Sequence, residues 1–268
     1  MRATAMQGSL FSTVEMPTPK KAGDITPKAP EFYTKDWLPI PKGAVSMLTA
    51  PGGAGKTFFV IQLACQVIKE NPDRKVLLWL SEDPAGQSRK RLDDVLAKIL
   101  FVGNAKQFLE NIEIIGSDSQ TPHIMIDNLQ AFQEMIKPYS VVILDPLIAF
   151  YSGEENNNSE ARSFMNMFTN TAQKQMQSII FIHHHSKGTK ETKGTTRGAG
   201  AFVDAARAVY ELEIVENSNR RKIIVAKDNW GVRAHFGSGK ELTVLPFEVV
   251  VEEKEGNDGK AKKTRRLL

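Results

Sequence analysis

The sequence predicts an α/β domain with a mostly parallel central sheet, helices on both faces and an antiparallel extension on the C-terminal side. Three observations predict it. Short runs rich in Val, Ile and Leu recur at residues 44–49, 75–80, 112–115, 141–144 and 178–182, and they are apolar enough to read as strands buried on both faces. Segments of helical length and spacing, near 56–70, 87–101, 124–137 and 159–176, separate them, and such β-then-α order implies right-handed crossovers. After residue 207 strands follow one another directly, at 208–214, 222–226 and 243–251, broken by Asn217-Ser218-Asn219 and Gly237-Ser238-Gly239.

The chain has 268 residues, 41% of them apolar and 25% charged, which suits one α/β domain with tails. Its formal charge of +4 permits a nucleic-acid partner without arguing for one, because a binder must concentrate its charge. The one cysteine, Cys65, excludes an intrachain disulfide and a Cys-rich zinc site, and its apolar surroundings (Ile61, Leu63, Ala64, Val67, Ile68) read as core. No run approaches the ~18 apolar residues of a membrane span. A cytoplasmic protein with no membrane partner is expected.

Taken in order, residues 1–35 carry Pro17, Pro19, Pro27 and Pro30 among Lys and Gly, and read as an extended arm, either a plain tail or an element that packs on a neighbouring subunit. The folded domain is expected over 36–251. Residues 252–268 form a charged tail that is purely basic from Lys260 onward.

The first strand runs into Ala50-Pro51-Gly52-Gly53-Ala54-Gly55-Lys56-Thr57, which opens the first helix. This is a phosphate-binding loop in its proper strand–helix context, with Ala50 where the pattern asks for a first Gly. Glycines let successive N–H groups curl inward onto phosphate oxygens, and the helix N-terminus adds its positive end. Pro51, Gly52, Gly53, Ala54, Gly55, Lys56 and Thr57 are therefore the candidate nucleotide-binding residues. Lys56 is placed for the β- and γ-phosphates and Thr57 for Mg²⁺, so ATP and Mg²⁺ are the expected ligands.

The second strand ends at Ser81-Glu82-Asp83-Pro84, and Glu82 can face a γ-phosphate from there. The fourth, Val141-Val142-Ile143-Leu144-Asp145, ends on an acid at the carboxyl edge of the sheet, where ligands collect in open α/β folds, and Asp145 is the candidate magnesium acid. The next residue is Pro146, where many P-loop ATPases carry a glutamate, so the group that polarises water must come from elsewhere. The fifth strand runs into His183-His184-His185. Strand alternation sends His184 to the face opposite His183 and His185, which argues against one metal bound by all three. A histidine at this strand end can instead hydrogen-bond the γ-phosphate.

Together, Ala-Pro-Gly-Gly-Ala-Gly-Lys-Thr, Ser-Glu-Asp-Pro followed by Arg91-Leu92, Ile-Leu-Asp-Pro, Phe-Ile-His-His-His-Ser-Lys-Gly and Thr-Arg-Gly…Val-Asp-Ala-Ala-Arg resemble the RepA-type plasmid-replication helicases, of the DnaB-related class. The resemblance covers residues 38–232. It implies a RecA-like P-loop fold, a hexameric ring, ATP hydrolysed between subunits, and translocation on single-stranded DNA. By it Glu82 is the catalytic carboxylate, and His184 the γ-phosphate sensor, although the extra histidine leaves His183 and His184 both open. By it also Arg207 is an arginine finger given to the neighbouring subunit, and Lys227 a second cation across that interface. A replication initiator or a primase is the implied further partner.

In a ring of this kind the loops after the fourth and fifth strands face the channel. Residues 146–160 hold Glu154, Glu155 and Glu160 with no basic residue, and make a poor phosphate ligand. Residues 186–197 carry Lys187, Lys190, Lys193 and Arg197 against Glu191 alone, and have no aromatic for base stacking. They are the candidate DNA contacts, to the backbone and independent of sequence. Two rival readings keep the ATP chemistry or part of it: a RecA-like regulatory or recombinase-type ATPase that does not unwind, and a small-molecule P-loop kinase. The kinase is disfavoured because no Arg-rich lid is visible and Glu82 and Arg207 would lack a purpose.

Overall fold

A computed structural model describes residues 16–35, 37–99, 105–154, 157–184, 200–215, 220–237 and 239–243. Strand β1 (Ala44–Ala50) leads through the Gly-rich loop into helix α1 (Lys56–Glu70), followed by β2 (Val76–Leu80), α2 (Ala85–Ile99), α3 (Ala105–Asn111) and β3 (Ile112–Gly116). Helix α4 (Ile126–Ile136), β4 (Val141–Asp145), α5 (Asn158–Gln175) and β5 (Ser178–His184) come next. The C-terminal part is α6 (Gly200–Ala205), β6 (Ala208–Ile214), β7 (Arg220–Asp228), α7 (Val232–Phe236) and β8 (Gly239–Thr243).

The eight strands form one sheet in the order β3-β2-β4-β5-β1-β6-β7-β8. Strands β1 to β6 are parallel throughout, and β7 and β8 are antiparallel additions. The period-2 alternation of each strand sorts its residues between two cores. Leu48, Leu78, Ile143 and Ile180 go to the face covered by α1, while Met47, Leu77, Val142 and Ile179 go to the face packed by α5 and α6. Each strand is thus buried on both sides, which is why it reads as a continuous apolar run.

Several expectations are corrected. β6 pairs in parallel with β1, so the antiparallel extension begins at β7. The last described strand lies at Gly239–Thr243, ahead of the expected 243–251, and begins inside the Gly-rich segment expected as a turn; residues 244–251 and the tail 252–268 lie outside the described residues. The short helices α3, α6 and α7 go beyond the sequence expectation, being too short to develop a helical apolar period. Within the segment expected as an arm, Phe32, Tyr33 and Thr34 are buried, and Phe32 bridges to Pro41, because two adjacent aromatic rings have more apolar area than a solvated tail can leave in water.

Cys65 is buried in α1, and burial pushes its thiol up to about 12, so it serves as core. No helix among the described residues is long and apolar enough to cross a membrane.

Candidate functional site

At the carboxyl edge of the sheet, β1 delivers Ala50 as a fully buried strand residue in register with His184. That position needs no glycine. The glycine freedom is used further on, where Gly53 (φ +74°) and Gly55 (φ +85°) adopt left-handed backbone. Lys56 starts α1, and its buried ammonium donates to the carbonyls of Pro51 (3.2 Å) and Ala50 (3.5 Å). Burial holds its pKa below the usual lysine range, against the pull of Asp145 and Glu82. A cavity of about 290 Å³ is lined by Gly53, Gly55, Lys56, Thr57, Phe58, Glu82, Arg91 and His184. A larger one of about 460 Å³, between the starts of α4 and α5, is mainly apolar and distant from these polar groups.

Strand pairing brings the acids together. β2 and β4 are in register with Leu80 opposite Asp145, and Ser81 donates to the Asp145 carbonyl from both its N–H and its hydroxyl (2.9 Å each). Glu82 follows at once, half-exposed, beside the buried Asp145. The loop after β2 is held down by Gly116, where a Cβ would lie 2.1 Å from the Ala85 nitrogen, so only glycine permits α2 to start so close to β3. Burial, then the charge of Glu82, pushes Asp145 up to about 7, against the pull of Lys56.

His184 Nε2 lies 3.3 Å from Glu82 Oε1. His183 turns to the other face, its ring 6.4 Å from that of Phe202. The parity of β5 explains the split: His184 shares a face with Ile180 and Ile182, the face of α1 and the Gly-rich loop. One ligand atom each from Glu82, Asp145 and His184 lies within 4.8 Å of the others, and Asp145 Oδ1 is buried with no hydrogen-bond partner among the described residues. With the Thr57 hydroxyl lining the same cavity, this is a hard-oxygen set that fits a magnesium ion carried by a polyphosphate.

Arg207 and Lys227 lie elsewhere. The Arg207 N–H donates to the Val45 carbonyl, near the beginning of β1, and Lys227 on β7 pairs with Val209. They sit at the amino end of the parallel strands, about 17 Å along β1 from the phosphate loop at ~3.3 Å per residue. Arg207 Nε is buried with no hydrogen-bond partner among the described residues, and Lys227 donates to the carbonyls of Val203 (3.2 Å) and Asp204. Burial lowers the Lys227 pKa; Asp204 opposes this, and Arg207 and Arg162 add to it, so three cations share one carboxylate. The neighbouring Asp228 accepts backbone N–H bonds from Trp230, Gly231, Val232 and Arg233 (2.7–3.0 Å) and fixes the turn into α7.

Lys187, Lys190, Lys193 and Arg197 lie outside the described residues, in the segment between His184 and Gly200. Three arginines escape a sequence reading of the site. Arg91 lines the cavity, pairs with Asp83 and lies 5.8 Å from the Phe58 ring; its only signal is its place in the Ser-Glu-Asp-Pro…Arg-Leu pattern. Arg162, on the exposed face of α5, and Arg221, on β7, carry no local signal at all.

The family model described as an AAA domain matches residues 14–190, more than half of the chain. The chain belongs to the AAA domain family. Among solved structures, this AAA domain protein is similar to an isolated ATPase domain, with 15% identity and a TM-score of 0.53 over 70% of this chain and 78% of that one. It is also similar to the RadB recombinase, with 18% identity and a TM-score of 0.51 over 71% and 83%. These likenesses carry the fold: a RecA-like P-loop ATPase.

Proposed function

We propose that this protein is an ATP-driven, ring-forming DNA helicase or translocase of plasmid-type replication, hexameric and cytoplasmic, that moves on single-stranded DNA. The observation that carries this reading is the cationic cluster of Arg162, Arg207 and Lys227 around Asp204, out of reach of the chain's own phosphate loop. Excess positive charge half-buried there is stabilised by an anion from outside, and a nucleotide held by a neighbouring copy is such an anion. Arg207 then acts as the finger on that copy's γ-phosphate, with Lys227 as a second cation.

Within one subunit, the loop residues Pro51 to Thr57 hold the phosphates, and Lys56 leaves its loop carbonyls to meet the β- and γ-oxygens. Thr57 and Asp145 are the residues that would hold Mg²⁺, which when bound offsets charge on the transferring phosphoryl group. Glu82, the carboxylate at the mouth of the cavity, orients the attacking water. His184 contacts Glu82 and immediately precedes the Lys187–Lys190–Lys193–Arg197 segment, so nucleotide state and DNA contact are a few residues apart. A primase or replication initiator is the proposed further partner.

Strand displacement on a forked duplex, with ATPase measured in the presence and absence of single-stranded DNA, tests the proposal. DNA-stimulated hydrolysis with strand separation is expected. DNA-stimulated hydrolysis without separation would assign the protein to the regulatory or recombinase-type class, and hydrolysis indifferent to DNA would contradict both.

A further inference from the structure

The Gly-rich loop carries its own problem: three glycines give it the curl that phosphate binding needs, and the same freedom lets its peptides rotate. Its apex is held from outside. Ala54 is fully buried, and its carbonyl accepts a 2.7 Å hydrogen bond from Nε of Arg221, 167 residues further along the chain. Arg221 is itself only 5% exposed. Its backbone is fixed in the sheet, opposite Ile214 of β6 on one side and Leu242 of β8 on the other, and its Nη1 donates to the Arg220 carbonyl at 2.8 Å. Burying a guanidinium is unfavourable, and here desolvation lowers its pKa.

The peptide joining Ala54 to Gly55 is trans, so its C=O and N–H point in opposite directions. With the carbonyl held outward on Arg221, the Gly55 N–H is directed the other way, to the cavity that Gly55 lines with Lys56. We propose that Arg221 is a positioning residue for nucleotide binding: its Nε–H anchors the Ala54 carbonyl and so keeps the Gly55 N–H aimed at the phosphates. The proposal rests on the reading of this loop as a phosphate cradle. It gives β7 a role in the nucleotide site that no residue of the loop itself can fill, since the flanking Gly53 and Gly55 offer no side chain to hold it.

Three substitutions separate hydrogen bond, charge and packing. Arg221→Gln puts an amide nitrogen the same number of bonds from Cα as Nε, without the charge; Arg221→Met keeps the length without a donor; Arg221→Lys keeps the charge with its nitrogen one bond too far. The readouts are the Kd of a fluorescent ATP analogue with Mg²⁺, KM and kcat for ATP, and thermal melting, with Lys56→Ala as the control that tests the phosphate-cradle reading by itself. Loss of binding in Lys56→Ala, with binding in the wild type, establishes the cradle. Arg221→Met is then expected to raise Kd and KM about tenfold, as for removal of one hydrogen bond, with kcat changed less than about twofold. Arg221→Gln should stay within about twofold of wild type, and Arg221→Lys should bind more weakly than Arg221→Gln. Wild-type affinity in Arg221→Met, or equal weakening in the Gln and Met variants, would overturn the proposal. If Arg221→Met does not fold, the Lys and Gln pair decides, and tighter binding by Lys than by Gln overturns it.

Discussion

Glu82→Gln removes one negative charge from the nucleotide cavity and leaves its shape and the contact with His184 nearly intact, since the two side chains are isosteric. Its effects on chemistry and on binding should diverge. A positioned carboxylate that orients and deprotonates water is worth about 10²- to 10⁴-fold, so turnover should fall by that factor. Binding should not fall, because Lys56, Thr57 and Asp145 remain. Glu82 is half-exposed and stands beside Asp145, where its charge, after burial, is the second cause holding that carboxyl at about 7. Asp145 must be ionised to hold a metal, so wild-type Mg²⁺-dependent binding weakens as pH falls through about 7. Without the charge of Glu82 the Asp145 pKa drops, and binding should persist to lower pH. Single-turnover phosphate release measures the first effect, and titration of an ATP analogue with Mg²⁺ over the pH range around neutrality the second. Near-wild-type turnover would refute the assignment of Glu82 as the base, and an unchanged pH profile would refute the coupling of the two acids.

Asp228→Ala removes the carboxylate that accepts four backbone N–H groups at the turn into α7, and should cost about 2 kcal/mol, or roughly 5 °C in Tm. Burial opposes its ionisation, but those four donors hold its pKa below the usual carboxylate range; the stability it contributes is complete above the unfolded value of about 4 and is lost as pH falls through the folded one. The gap between wild type and variant, read by denaturant melts, should therefore close in acid; a gap that widens in acid would contradict this. Replacing Lys187, Lys190 and Lys193 together by Ala should leave basal ATPase intact and lower single-stranded DNA affinity, flattening its log–log salt slope by about 0.7 for each phosphate no longer neutralised. Wild-type DNA binding and unwinding by that variant would move the DNA interface to the basic residues 260–266.

What the sequence made legible was local. A strand running into Gly-Lys-Thr, a second ending on Glu82 and a third ending on Asp145 are each defined within a few residues, and parallel pairing gathers such strand ends at one edge without further information. His184 was nearly legible: alternation separated it from His183, and the parity that puts Asp145 on the face of Val141 and Ile143 chooses between them once the pairing of β1 with β5 is known. Arg221 was invisible, because its partner is a backbone carbonyl 167 residues away. Arg162 was invisible for a related reason: on an amphipathic helix it is one more polar residue, and only the packing of α5 near β7 gives it Lys227 for a neighbour. The extension was legible as strands but not in register, because Gly239 begins β8 where a Gly-Ser-Gly run reads as a turn.

The claim that an ATP site is completed by a second copy of the chain is tested most directly by mixing two inactive variants. Glu82→Gln lacks the base but offers Arg207 to a neighbour, and Arg207→Ala lacks the finger but keeps its base; an arginine finger is typically worth about 10³- to 10⁵-fold in rate. In mixed rings, each junction that joins an intact Glu82 to an intact neighbouring Arg207 should hydrolyse ATP, so activity should rise well above that of either variant alone and peak near equal proportions. ATPase that stays at the level of the two variants in rings verified to contain both would contradict the account, and would return Arg207 to its own subunit.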